Sequence, residues 1–282
     1  MHWLFRFFST WPLPRLQAIG GWLGWLVWIA SARYRKQFQA NVKQAGLPFE
    51  AAKPAVAEAG RFVAELPKLW MRAQGESCLG NVQVKGQVHA DAAFARNQGV
   101  IFFSAHAGCF EIEPQALAEL YGPITAIYRP ARKAWLARLQ IIARDRPGLN
   151  VVPAGLSGIR LMLKALKARQ AIALLCDQVP PEGQGMWAPF FGKPAYTMTL
   201  AARLALQSGA AMLPVTCERL KGGKGYTLSI WPALTGLDGA GKSDMLHAVT
   251  VINQAIEAIV LSQPHQYLWG YARYKKPRKE PT

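Results

Sequence analysis

Five short apolar runs limit what this chain can fold into: 99–103, 123–128, 151–152, 171–176 and 210–217. Each is bounded by Gly, Pro or a polar residue. Runs of this length read as strands buried on both faces. Helical segments stand between them, at Gly108–Leu120, Ala134–Arg144, Gly158–Ala168 and Thr197–Ser208. This alternation predicts an α/β fold with a mostly parallel central sheet flanked by helices. Ala51–Arg72 reads as a helix with Ala55, Phe62, Val63, Leu66 and Leu69 mostly on one face. Asn81–His89 alternates and reads as a strand. Tyr226–Trp231 reads as another, after the glycine-rich turn 222–225, and Lys242–Leu261 as a long helix. No internal repeat or low-complexity tract interrupts the pattern.

The N-terminus differs in kind. No acidic residue precedes Glu50, while Arg6, Arg15, Arg33, Arg35, Lys36 and Lys43 all fall there. Seventeen uncharged residues, Leu16–Ala32, lie between two of these arginines. That is at the short edge of a membrane span, which needs roughly 20 residues. A cleaved signal peptide fits poorly. The expectation is a membrane-associated segment over 1–45, spanning or lying in the interface, with Arg33, Arg35 and Lys36 among anionic head groups on the cytoplasmic side. The plain alternative is a helix packed on the core. Residues 46–282 would then form the chemistry-bearing domain. The net charge of +17 implies a polyanionic partner: nucleic acid, anionic membrane lipid or an acidic carrier protein. Ten Trp and twelve Phe favour the lipid interface. The four cysteines form no C-x-x-C pair, so neither a zinc site nor a disulfide framework is expected. Cys176 and Cys217, in apolar runs, read as core thiols.

Three of the predicted strands end in polar clusters, at His106, Arg129 and Asp177. Ligand sites of open α/β sheets lie beyond the carboxyl ends of the strands, so these clusters are expected in one cleft. His106 is followed five residues later by Glu111. Within one helix that spacing puts the two on different faces. A histidine in the turn before the helix escapes the constraint, and Gly108 suits such a turn. The pair then reads as a general base and its orienting acid. His2, His89, His247 and His265 have no comparable setting and are expected to be non-catalytic.

These segments together resemble the lipid A late acyltransferases, the bacterial lauroyl/myristoyl acyltransferases of the lysophospholipid acyltransferase superfamily. The resemblance rests on Ser104-Ala-His-Ala-Gly-Cys-Phe-Glu111, Tyr128-Arg-Pro130, Arg144 with Gly148, Asp177-Gln178, Phe190-Phe-Gly-Lys-Pro194, and Gln266-Tyr-Leu-Trp269 with Arg273-Tyr-Lys275. The glycerol-phosphate branch of that superfamily usually carries Asn-His-x4-Asp and a later Glu-Gly-Thr-Arg. Ala105, Glu111 and Asp177-Gln178 favour the lipid A branch instead. Cys109 and Phe110 replace its more usual Asn-Trp.

The resemblance implies transfer of a fatty acyl chain from acyl carrier protein to a hydroxyl of a lipid A precursor in lipopolysaccharide biosynthesis, at the bacterial inner membrane, with the catalytic domain facing the cytoplasm. It implies no cofactor, no metal and no nucleic acid. His106 would act as base, with Glu111 fixing its tautomer. Arg144 would stabilise the oxyanion and Arg129 bind a substrate phosphate. Asp177 and Gln178 would line the cleft and position the sugar lipid or Arg144. The tail 273–279 would touch anionic lipid or the acidic carrier. Acylation of another glycolipid or a lipoamino acid, and a non-catalytic basic protein binding membrane or nucleic acid, are the competing readings.

Overall fold

A computed structural model describes residues 2–131, 133–237 and 244–279. Two helices open the chain, α1 (His2–Ser9) and α2 (Leu13–Ala30), followed by α3 (Ala32–Gln44), α4 (Phe49–Ala52) and α5 (Ala55–Trp70). The α/β body then runs β1 (Val82–Lys85), α6 (Gln87–Ala95), β2 (Val100–Ser104), α7 (Glu113–Tyr121), β3 (Ile124–Tyr128), α8 (Ala134–Arg144), β4 (Leu149–Pro153), α9 (Leu156–Lys167) and β5 (Ala171–Leu175). A hairpin of β6 (Gly185–Phe190) and β7 (Lys193–Met198) leads into α10 (Leu200–Ser208), β8 (Ala211–Arg219), β9 (Tyr226–Ile230) and α11 (Met245–Ser262).

Seven strands form one sheet in the order β1-β9-β8-β2-β5-β3-β4. Every pairing in it is parallel except β8 with β9. The fold expectation therefore holds. β2 is the most deeply buried strand, with all five residues inaccessible, as its unbroken apolar run requires. Two apolar layers cover the sheet. On one face, α9, α10 and α11 pack over Ile101, Phe103 and Ile172. On the other, α7 and α8 pack over Phe102, Ile124 and Leu213.

Several expected boundaries move. The alternation at Asn81–His89 is a strand only to Lys85; Gly86, at φ +75°, turns the chain into α6. The helix expected from Gly108 begins at Glu113, because Gly108 and Cys109 are pinned against Cys217 of β8 and a turn follows at 110–112. Residues 197–198 belong to β7, and α10 starts at Leu200. The expected start of the last helix, at Lys242, lies outside the described residues.

The apolar N-terminal run is helical, and its glycine face lies directly on α5. A Cβ on Gly60 would collide with the Gly20 carbonyl oxygen, and one on Gly24 with that of Val56. Only glycine lets the two backbones approach this closely. α3 is tied in as well: Phe38 and Val42 are buried in the larger apolar cluster. The Asn41 amide donates to the carbonyls of Trp269 (2.6 Å) and Tyr271 (2.7 Å). The opposite face of α2 exposes Trp22, Leu23, Leu26, Val27 and Ile29. The one described helix long and apolar enough to cross a membrane is α11, which forms part of the core.

Candidate active site

β2 and β5 are neighbours in register, with Ser104 opposite Leu175. Two residues beyond each strand end stand His106 and Asp177. The Asp177 carboxylate receives the His106 backbone N–H on Oδ2 (3.1 Å) and the imidazole Nδ1 on Oδ1 (2.6 Å). An ionised carboxylate only accepts, so the proton resides on Nδ1 and Nε2 presents its lone pair. The Gln178 side-chain amide lies 3.1 Å from that Nε2 and donates to it. Asp177 is 2% exposed. Burial makes it a weaker acid, but its electrostatic attraction to His106, the two hydrogen bonds from His106 and the nearby Arg273 charge outweigh this and hold its carboxyl below the ordinary 3.8.

The contact expected between Glu111 and the imidazole is not made among the described residues; Asp177 occupies Nδ1 instead. Among those residues the partners of Glu111 are Arg144 Nη2, donating at 2.6 Å, and Trp70 Nε1, donating at 3.0 Å. Arg144 also stacks over the Tyr128 ring at 5.1 Å. Its other terminal nitrogen, Nη1, is buried without a hydrogen-bond partner among the described residues. The two groups adjoin through one short loop: Phe110 packs edge-on against the imidazole at 4.8 Å, and Glu111 follows it. Arg129 is exposed just beyond β3, outside both groups.

The loop carrying His106 is clamped from two sides. Gly108 N donates to Gln266 O (3.0 Å), Leu268 N to His106 O (3.0 Å), and Cys109 N to Cys217 O (2.7 Å). Gly108 has φ +60°, and a Cβ there would run into the Cys217 carbonyl. The segment Gln266–Trp269 thus acts as a partial strand against the loop. Beneath it lies a buried ionic cluster that the sequence reading missed. Arg219 donates through Nε to Glu65 Oε2 (2.8 Å), through Nη1 to Glu58 Oε2 (2.8 Å), and through Nη2 to Glu65 Oε1. Glu65 also accepts from Tyr226 OH (3.1 Å) and from the Gln17 amide of α2 (3.2 Å).

Glu113 is a second missed residue. It is buried and accepts from Ser104 Oγ at 3.0 Å. Burial holds it well above the ordinary 4.5; its hydrogen bonds oppose this and the Asp177 charge adds to it. A carboxyl that loses its proton later in the folded than in the unfolded state stabilises the fold fully below the unfolded value. That contribution is lost as pH rises toward the folded value. Glu113→Gln is therefore expected to flatten the fall in Tm as pH rises above the ordinary 4.5, with the largest gain over wild type at the alkaline end. Thermal unfolding across that range checks it; a wild-type slope kept in the variant counts against a neutral Glu113.

A cavity of about 570 Å³ runs along the free edge of β4 between α8 and α9. Tyr128 and Arg144 line one part of it, with Ile141, Val152, Leu161 and Lys164 further along. It falls in the size range of small-molecule sites.

Comparison with known proteins places this geometry in context. A family profile described as bacterial lipid A biosynthesis acyltransferase matches residues 3–276. The lipid A biosynthesis palmitoleoyltransferase of Escherichia coli (strain K12) is 31% identical over 193 residues, 68% of this chain and 61% of that protein. The lauroyltransferase of the same organism is 26% identical over 204 residues, 71% of this chain and 64% of that protein. A phosphatidylinositol mannoside acyltransferase of Mycobacterium tuberculosis (strain CDC 1551 / Oshkosh) is 27% identical over 161 residues, 55% of this chain and 49% of that protein. The alignments thus span less than two thirds of these relatives' length.

Proposed function

The chain belongs to the bacterial lipid A biosynthesis acyltransferase family, and we propose that it transfers a fatty acyl chain from acyl carrier protein to a hydroxyl of a lipid A precursor. The observation that carries this reading is the Asp177–His106 pair, with Nε2, which accepts from the Gln178 amide, turned away from the carboxylate at the carboxyl end of the sheet. The acceptor hydroxyl takes the place of the Gln178 amide at Nε2. As its oxygen attacks the thioester carbonyl, its proton passes to Nε2, and Asp177 stabilises the imidazolium. Collapse of the tetrahedral intermediate breaks the carbon–sulfur bond, and the imidazolium returns the proton to the departing sulfur. The thioester is already activated, so no enzyme nucleophile is required.

Glu111 in this reading fixes Arg144 rather than the imidazole. Arg144 then has its unpartnered Nη1 to offer to the oxyanion or to a phosphate of the acceptor. Arg129, exposed at the rim, is the outer phosphate contact. The exposed face of α2, with Trp3 and Phe7 of α1, supports a chain that lies on the inner membrane rather than crossing it. The relation to a phosphatidylinositol mannoside acyltransferase favours a second acceptor class, a mannoside glycolipid, acylated by the same residues.

His106→Ala is expected to lower transfer by about 10²–10⁴-fold while leaving the fold and membrane association intact. Mass spectrometry of membrane lipids from a deletion strain, complemented with wild type or His106→Ala, reads both points. A restored acyl increment on lipid A supports the first acceptor, and one on another glycolipid supports the second. Full complementation by His106→Ala would sink the mechanism.

A further inference from the structure

α9 presents Leu156, Arg160, Lys164 and Lys167 on one exposed stripe. Their spacing of four, four and three keeps them on one helix face. The exposed Arg169 follows, and α10, packed on α9, adds the exposed Arg203. α9 itself carries no acid. From Tyr121 to Cys176 the chain has ten basic residues and one acid, Asp145, which faces the same cavity from the α8 side. Leu156 and Leu161 are 77% and 47% exposed beside the charges. A basic stripe edged by exposed leucines complements an acidic amphipathic helix.

The placement is also right for delivery. β4 and β5 both run parallel to β3, so α9, which joins them, starts at the end of the sheet where His106 and Asp177 stand. β4 lies three strands from β2, about 14 Å at the usual strand spacing. A phosphopantetheine arm is comparable to five residues of extended chain, ~17 Å. A carrier seated along α9 that passes its arm over the first turn, at Leu156 and Arg160, can therefore bring the thioester to His106 across the ends of β3 and β5, past Tyr128 and Gln178. A membrane fits this stripe less well. α2 sits over α5, and α5 crosses the loop beyond the strand ends, where Phe62 meets Phe110 and Trp70 meets Glu111. α9 descends toward the opposite end of the sheet, so a bilayer lying on the apolar face of α2 leaves its later turns behind.

We infer that the Arg160–Lys164–Lys167 stripe of α9 is the docking surface for the acidic acyl carrier protein that brings the thioester to His106. This rests on the transferase reading above. The test is the double reversal R160E/K167E in the full chain; Lys164 is left in place because it also lines the cavity. The probes are an acyl-loaded acidic carrier protein and the same acyl chain on free pantetheine. The reversal is expected to raise KM for the carrier about tenfold, with kcat nearly unchanged. Kinetics with free acyl-pantetheine stay as in wild type. Direct binding of the carrier to wild type weakens with added salt. K221E/K224E, which removes as much charge elsewhere on the surface, leaves carrier binding unchanged. Carrier binding equal in R160E/K167E and wild type overturns the inference, as does an equal loss in both double reversals. Release from anionic vesicles with carrier binding intact overturns it too, making the stripe a lipid contact. Wild type that binds carrier through the stripe yet transfers from neither donor supports the surface and removes the transferase reading instead.

Discussion

Asp177→Asn is expected to lower acyl transfer by about 10⁴-fold in a chain that still folds. The substitution keeps the shape of the side chain and changes what it offers to Nδ1. Asparagine cannot carry the negative charge that steadies the imidazolium. Its amide can also donate to Nδ1, which moves the ring proton to Nε2 and blocks the basic atom. Asp177 also caps the loop through the His106 backbone N–H. Thermal unfolding should therefore accompany kcat, to separate loss of chemistry from loss of the loop. Because the folded carboxyl ionises below the ordinary 3.8, Asp177 contributes stability at neutral pH. That contribution is lost only as pH falls through the depressed value. Glu111→Gln gives the contrast. It removes one charge from the pair with Arg144 and leaves the Asp177–His106 bond alone, so the expected fall is nearer 10²-fold. The reverse order of severity would return the orienting role to Glu111.

Chain proximity and the family resemblance both favoured Glu111 as the partner of His106. The actual partner lies 71 residues away and is supplied by strand adjacency, which no local pattern encodes. The strands themselves were readable because fully buried parallel strands need continuous apolar runs, and β2, β3, β5 and β8 have them. That three of these strands end in polar residues was equally readable; two of those residues, His106 and Asp177, meet beyond the strand ends, while Arg129 stands apart. The β6–β7 hairpin was not readable. Pro189 and Pro194 sit within its strands, and as a two-stranded sheet it tolerates residues that a central strand excludes. α6 was hidden because the alternation of β1 continues past Gly86 into a helix with little amphipathic contrast. Arg219 drew no notice for a different reason. A basic residue at the end of an apolar strand ordinarily reaches solvent, and only the tertiary fold reveals two glutamates of α5 waiting for it.

That last arrangement carries the largest expected effect on stability. Arg219→Met leaves Glu65, which is 0% exposed, without its cation. A carboxylate stranded in the interior is costly, and breaking one side of such a pair typically loses 3–5 kcal/mol, so a loss of about 4 kcal/mol is expected in urea unfolding. The Tyr226 hydroxyl and Gln17 amide remain on Glu65, but neither bears charge. The double change Arg219→Met with Glu65→Leu removes both desolvated ions and is expected to recover most of the loss. The same pair of variants separates stability from function. Arg219 Nη2 also lies 3.4 Å from Gly108 O, and the Arg219 backbone exchanges hydrogen bonds with the Gln266 side chain. Both contacts hold the loop that bears His106. The Gln266 exchange uses backbone atoms and survives in the double variant, whereas the contact to Gly108 O does not. A double variant that regains stability and transfers normally assigns the ionic cluster to folding alone. One that regains stability but keeps a lowered kcat, with unchanged KM, makes Arg219 a positioning residue for the catalytic loop.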